Sequence, residues 1–199
     1  TQRHENGHLL GLPDLYDYKP GSGLKGGVGG FDIMDGNKGN PNGFSRWMMD
    51  WISPVVIGAG GLQSYNLRAS GDHTATGNQA VVLFPNASSS QFQEFFLVEN
   101  RTRTGNDGGL SNLPADGLAI WHVDSTLTAD GKDFAFRNTD SPTATAHKLV
   151  RLVQADGLAS IENNAAGVDA GDYWNLGDVF GTTTSRDYAG VLTNATVSN

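Results

Sequence analysis

From residue 64 onward, apolar and polar positions alternate over short runs that are bounded by turn-forming residues. Residues 64–67, 79–83, 94–100, 117–123 and 148–154 carry Val, Leu, Phe, Ile or Trp at the density expected of strands. Ser70-Gly71-Asp72, Asn106-Asp107-Gly108-Gly109, Ala129-Asp130-Gly131 and Asp156-Gly157 supply turn chemistry between them. Regular spacing of this kind predicts an antiparallel β-sheet or sandwich. Upstream the period is helical. Within residues 42–53, Phe44, Trp47, Met48 and Trp51 recur on one helical face as core, with Asn42 or Ser45 as the cap and Pro54 as the stop. A glycine-rich link at 58–61 divides the chain into residues 1–57 and a β-rich domain, residues 58–199, packed on the first. Residues 18–43, 124–147 and 182–199 are polar or irregular and predict loops and edge segments.

Composition supports the β-rich reading and removes several functions. The chain has 199 residues, 27 of them glycine, and only 17% are charged, which suits short strands and many turns. A net charge of −8 leaves no basic surface for nucleic acid. No apolar run approaches the ~20 residues of a membrane helix, so no membrane insertion is expected. Without cysteine, neither a disulfide nor a thiolate metal site can form.

The chemistry is concentrated at the start. His4-Glu5-Asn6-Gly7-His8-Leu9-Leu10-Gly11-Leu12-Pro13-Asp14 reads H-E-x-x-H-x-x-G-x-x-D. On a helix, His4 and His8 lie about 6 Å apart along the axis and share a face, so both rings can reach one Zn²⁺. Glu5 projects to the side, placed to take a proton from water without binding the metal. Gly11 can adopt a left-handed conformation and end the helix, and Pro13 cannot continue it, so Asp14 can turn back as a third ligand. Farther on, Gly29-Gly30-Phe31-Asp32-Ile33-Met34-Asp35-Gly36 is an apolar turn between glycines. It serves either as a methionine floor beneath a metal or as a pin holding the loop to the core. Only three residues precede the motif, which leads us to expect a piece of a longer protein.

Several segments resemble the immune inhibitor A family of secreted bacterial metallopeptidases. They are the motif extended through Leu15-Tyr16-Asp17, the run from Gly29 to Met34, Glu94-Phe95-Phe96-Leu97-Val98-Glu99-Asn100-Arg101, Gly117-Leu118-Ala119-Ile120-Trp121-His122-Val123-Asp124, Leu152-Val153-Gln154-Ala155-Asp156-Gly157 and Asp169-Ala170-Gly171-Asp172. The resemblance implies a secreted zinc endopeptidase acting on protein or peptide substrates. It implies His4, His8 and Asp14 as zinc ligands, Glu5 as general base and Met34 as the Met-turn residue; Asp17, which also lies just past the helix, is the alternative third ligand, with Asp14 favoured by its offset from Gly11. The expected fold is α+β but mostly β: an active-site helix and Met-turn loop lead into an antiparallel sheet or sandwich. The family's catalytic domain also places a sheet and a helix before the motif, which this chain does not carry.

The expected reaction is peptide hydrolysis by a metal-activated water with Glu5 as base. Two other readings stand beside it: a non-catalytic β-rich binding or accessory module with a vestigial or incomplete zinc site, and a zinc enzyme acting on a non-peptide bond. Asn163, Asp169 and Asp172, with Asp178 beyond them, lie among glycines and offer oxygens to Ca²⁺ or serve as solvated turns. His122, on a predicted strand, is expected as a buried, hydrogen-bonded residue, with a ligand or transition-state role as the alternative. His73 and His147 are expected to be solvated.

Overall fold

The run Phe95-Phe96-Leu97-Val98 is apolar at every position, which requires a strand covered on both faces. In the computed structural model it lies at the centre of a sheet. The structure describes residues 2–18, 26–36, 39–58, 62–72, 74, 76–85, 90–108, 113–140, 147–181, 183–193 and 195–198. Three short helices come first: α1 (Gln2–Leu9), α2 (Ile33–Gly36) and α3 (Gly43–Met48). Five strands then form one sheet in sequential order: β1 (Val55–Ile57), β2 (Val81–Leu83), β3 (Glu94–Arg101), β4 (Gly117–Asp124) and β5 (Val150–Leu152). A helical turn, α4 (Gly105–Gly108), joins β3 to β4, and β6 (Val179–Phe180) pairs with β7 (Val197–Ser198) in a second, two-stranded sheet.

The protein is therefore mostly β, but the expected antiparallel sandwich needs correction. β1 runs parallel to β2 while the other pairs in its sheet are antiparallel, giving one mixed sheet with only a small second sheet. Register explains the double burial. β3 pairs with β4 from Glu94↔Asp124 to Arg101↔Gly117. Alternation sends Phe95, Leu97, Trp121 and Val123 into the larger core with the helical segments, and Phe96, Val98 and Ile120 into a smaller core with Trp174 and Phe180. The larger core also takes Leu12, Leu15, Met34, Phe44 and Ile52.

Two other sequence expectations change. Residues 64–67 form no strand; the ladder contacts there are the isolated bridges Leu67↔Asn78 and, just beyond, Ala69↔Asn100. The helix expected over 42–53 ends at Met48. Asn42 caps its start, its side chain accepting from the Ser45 N–H at 3.0 Å. Pro54 is not the stop. Asp50 takes φ +58°, and the Asp50 and Trp51 N–H groups bond back to Trp47 and Arg46. Trp51 is consequently turned out of the core and half exposed.

A buried charge network ties the helices to the sheet. Glu99 accepts from Arg46, from Arg101 at 3.1 Å and from the Trp121 indole at 2.7 Å, and Arg101 also donates to Asp107 at 3.0 Å. Burial alone would raise the Glu99 pKa, but the two guanidinium groups hold it below its ordinary value. Among the described residues, no helix is long and apolar enough to cross a membrane.

Candidate metal centre

α1 ends in a Schellman motif. Gly11 sits at φ +90°, its N–H bonding to His8 O at 2.9 Å, while the Leu12 N–H bonds to Gly7 O at 3.0 Å. This turn drops Leu12 and Leu15 into the core and brings Asp14 back beside the helix. Close packing at Gly7 fixes the other flank: a Cβ there would lie 2.5 Å from Met34 Sδ. Met34 is fully buried beneath α1. Its own turn is held by Asp32, which accepts from the Met34 N–H at 2.6 Å and from Asn42 Nδ2 at 2.8 Å.

The result is a triangle of three ligand atoms. His4 Nε2 and His8 Nε2 are 3.1 Å apart, and Asp14 Oδ1 lies 3.0 Å from the first and 3.1 Å from the second. Three ligands at about 2.0–2.1 Å around a tetrahedral ion would stand about 3.3 Å apart, so the triangle is slightly tighter than a filled zinc site. Both rings are oriented from behind. His4 Nδ1 is 2.9 Å from Ile33 O, and His8 Nδ1 is 2.9 Å from Leu12 O. A carbonyl can only accept, so each Nδ1 donates its proton there and each Nε2 is turned toward the centre. Asp14 Oδ1 is buried and takes no hydrogen bond. Two ring nitrogens and a carboxylate oxygen thus converge on one point, an arrangement that a cation or a shared proton would satisfy.

Aromatic residues complete the surroundings. The Tyr18 hydroxyl donates to Asp14 Oδ2 at 2.5 Å, and that bond, with burial, raises the phenol's pKa. Tyr16 packs 6.0 Å from the His4 ring and 5.0 Å from Tyr18. Burial is the main cause of its raised pKa, with Asp14 and Glu5 adding negative charge nearby. Glu5 itself is exposed on α1, beside this tyrosine. Neither tyrosine stood out in sequence; the only signal is the four-residue step from Asp14 to Tyr18.

Asp17, the alternative ligand, is elsewhere. It is buried against Gly26, where a Cβ would sit 2.9 Å from its own Cβ, and its charge acts on Lys148. Lys148 is buried too, donating to Gly27 O at 3.1 Å and standing 3.6 Å from Glu162. The downstream carboxylates do assemble in part: Asp169 and Asp172 share a cluster with Asp156 in which candidate ligand atoms lie within 4.8 Å of one another. The loop already uses them. Asp169 accepts from the Gly171 N–H and Asp172 from the Asp169 N–H, both at 2.7 Å, and Asp172 also accepts from Gln154. Burial raises the Asp172 pKa. Asn163 is exposed, its N–H bonding to Ala159 O at 2.9 Å.

His122 is buried and pairs with Glu94 at 2.7 Å; desolvation lowers its pKa against the pull of that carboxylate. It stacks on Tyr188 at 4.1 Å, and His147 stacks on the other side of that ring at 3.9 Å. His147 was expected to be solvated and is instead packed, 3.5 Å from the Phe136 ring and 2.7 Å from Asp124. His73 lies outside the described residues.

Comparison with protein-family models, curated proteins and solved structures finds no match to this chain.

Proposed function

We propose that this chain carries the metal centre of a zinc endopeptidase, with His4, His8 and Asp14 as ligands and Glu5 as general base. The carrying observation is the convergence of two oriented Nε2 atoms and one buried carboxylate oxygen within 3.0–3.1 Å of one another. This donor set suits zinc, and three protein ligands leave a fourth position open, as in catalytic rather than structural sites. Zinc bound there would supply a Lewis acid for a scissile carbonyl and would acidify a neighbouring water.

The chain's own residues do the remaining work. The Ile33 and Leu12 carbonyls fix the tautomer and aim of both rings, and Tyr18 fixes Asp14. Glu5, adjacent to His4 and exposed, accepts the proton of the attacking water and returns it to the leaving amine. Met34, packed on Gly7, forms the floor beneath the helix in the role of a Met-turn residue. Together with the resemblance to the immune inhibitor A family, this supports the reading of a secreted bacterial enzyme acting on protein or peptide chains.

Glu5→Gln tests the assignment because it keeps the helix and the ligands while removing the base. Zinc content is expected to stay unchanged while casein hydrolysis falls by at least about a hundredfold. Undiminished hydrolysis by the zinc-loaded variant would refute the role of Glu5. A zinc-loaded parent with no hydrolytic activity would instead favour the binding-module reading.

A further inference from the structure

The segment after α1 carries Asp14, Tyr16 and Tyr18, and a residue far away in the chain holds it from behind. Asp14 and Leu15 share one peptide plane, whose N–H donates to Met34 O at 2.9 Å. The next carbonyl, Leu15 O, accepts from Asn138 Nδ2 at 3.1 Å, across 123 residues of sequence. Leu15 is 1% exposed, and Gly27 packs so closely that a Cβ there would lie 2.4 Å from Leu15 O. The carbonyl is thereby shielded from water, and Asn138 supplies its hydrogen bond. Asn138 is itself fully buried, on the connection between β4 and β5. Its other bonds go to one residue of the edge strand β5. Nδ2 donates to Val150 O at 2.8 Å, and Oδ1 accepts from the Val150 N–H at 3.1 Å. The side-chain amide thus pairs with Val150 as a neighbouring strand would, while also reaching the ligand-bearing segment.

We propose that Asn138 is a positioning residue of the metal centre, which holds Asp14 against the two histidine rings. The inference rests on the zinc reading of that centre. His4 and His8 are spaced by α1 itself, whereas Asp14 depends on the following segment for its approach. Hydrogen bonds to the peptide planes on both sides of Leu15 fix the backbone there, and Asp14 is attached to the first plane. Without the Asn138 amide, a buried carbonyl loses its partner, a cost that a shift of residues 14–16 toward solvent would relieve. Such a shift draws Asp14 Oδ1 away from the rings and leaves α1 in place.

The test compares zinc affinity, by chelator competition on the full chain, for the parent, Asn138→Ala and Asn138→Leu. Leucine fills the volume of the amide without its hydrogen bonds, so it keeps the test open if the alanine variant does not fold. Cobalt(II) in place of zinc reports the ligand set through its visible bands. Ser125→Ala is the control: Ser125 is equally buried but bonds to the Gln91 and Gln93 carbonyls. Each Asn138 variant, shown folded by circular dichroism, is expected to weaken zinc at least about tenfold. Its cobalt spectrum should move toward that of Asp14→Ala. Ser125→Ala should bind both metals as the parent does, even where its urea midpoint falls as far as those of the Asn138 variants. Parent-like affinity and spectrum in a folded Asn138 variant, or equal weakening in Ser125→Ala, would overturn the inference and leave the zinc reading standing. A parent that binds no zinc would overturn both.

Discussion

Asp14 presents two oxygens in different situations. Oδ2 accepts from Tyr18, whereas Oδ1 faces two histidine nitrogens with no hydrogen bond. Tyr18 therefore acts as an orienting partner, and its loss should be felt in metal affinity more than in folding. Tyr18→Phe is expected to weaken zinc about 10–100-fold, measured by competition with a chromophoric chelator. Beneath the helix, burial lifts the Asp35 carboxyl to about 7 and that of Asp32 to about 6. In the unfolded chain both fall near about 3.9. Across pH 4 to 7 the folded protein thus holds protons that the unfolded chain has released. Stability from these groups is greatest below the unfolded pKa and is lost as pH rises through the folded values. Asp35→Asn leaves an acceptor for the Val28 and Gly30 N–H groups but removes the titration. The unfolding temperature should then vary less steeply between pH 4 and 7; an unchanged slope would contradict the assignment.

At the scale of elements, legibility depended on whether the determining interaction was local. Gly11 announced the end of α1 because a left-handed residue is a one-position requirement that glycine meets best. The end of α3 was hidden because Asp50 takes that conformation without being glycine. β1 was missed: it is three residues long and half exposed, and its partner β2 begins only at Val81. The reverse error at 64–67 has the same origin, an apolar pattern with no continuous partner strand. Asp169 is a local case. It caps the 3-10 turn Ala170–Asp172 in a reciprocal capping box, which accounts for its position without an ion. Asp169→Ala should cost about 1 kcal/mol in urea unfolding, equally with and without EDTA. A cost that disappears in EDTA would instead place calcium in the Asp156–Asp169–Asp172 cluster.

Across the whole molecule, the motif at one end of the chain is held by parts far from it in sequence. Met34 lies against Gly7, Asp32 and Asn42 knit that turn to α3, and Arg46 and Glu99 join α3 to the central strand. The ligand spacing was readable because four residues on a helix fix it. The Tyr18 bond, the Arg46–Glu99–Arg101 network and the ring stack around Tyr188 depend on tertiary contacts that no sequence period encodes. The offset from Gly11 favoured Asp14 over Asp17 as the carboxylate beyond the helix, and the fold turns Asp14 toward the rings and Asp17 toward Gly26. A metal held by the folded arrangement stabilises the whole chain, by about 4 kcal/mol when free zinc exceeds its Kd a thousandfold. The most direct measurement is therefore zinc stoichiometry, with zinc-dependent thermal unfolding, for the chelator-treated parent, Asp14→Ala and Asp17→Ala. The account predicts one zinc per chain and a raised unfolding temperature in the parent and Asp17→Ala, with both lost in Asp14→Ala. Retention of zinc and its stabilisation by Asp14→Ala would contradict it.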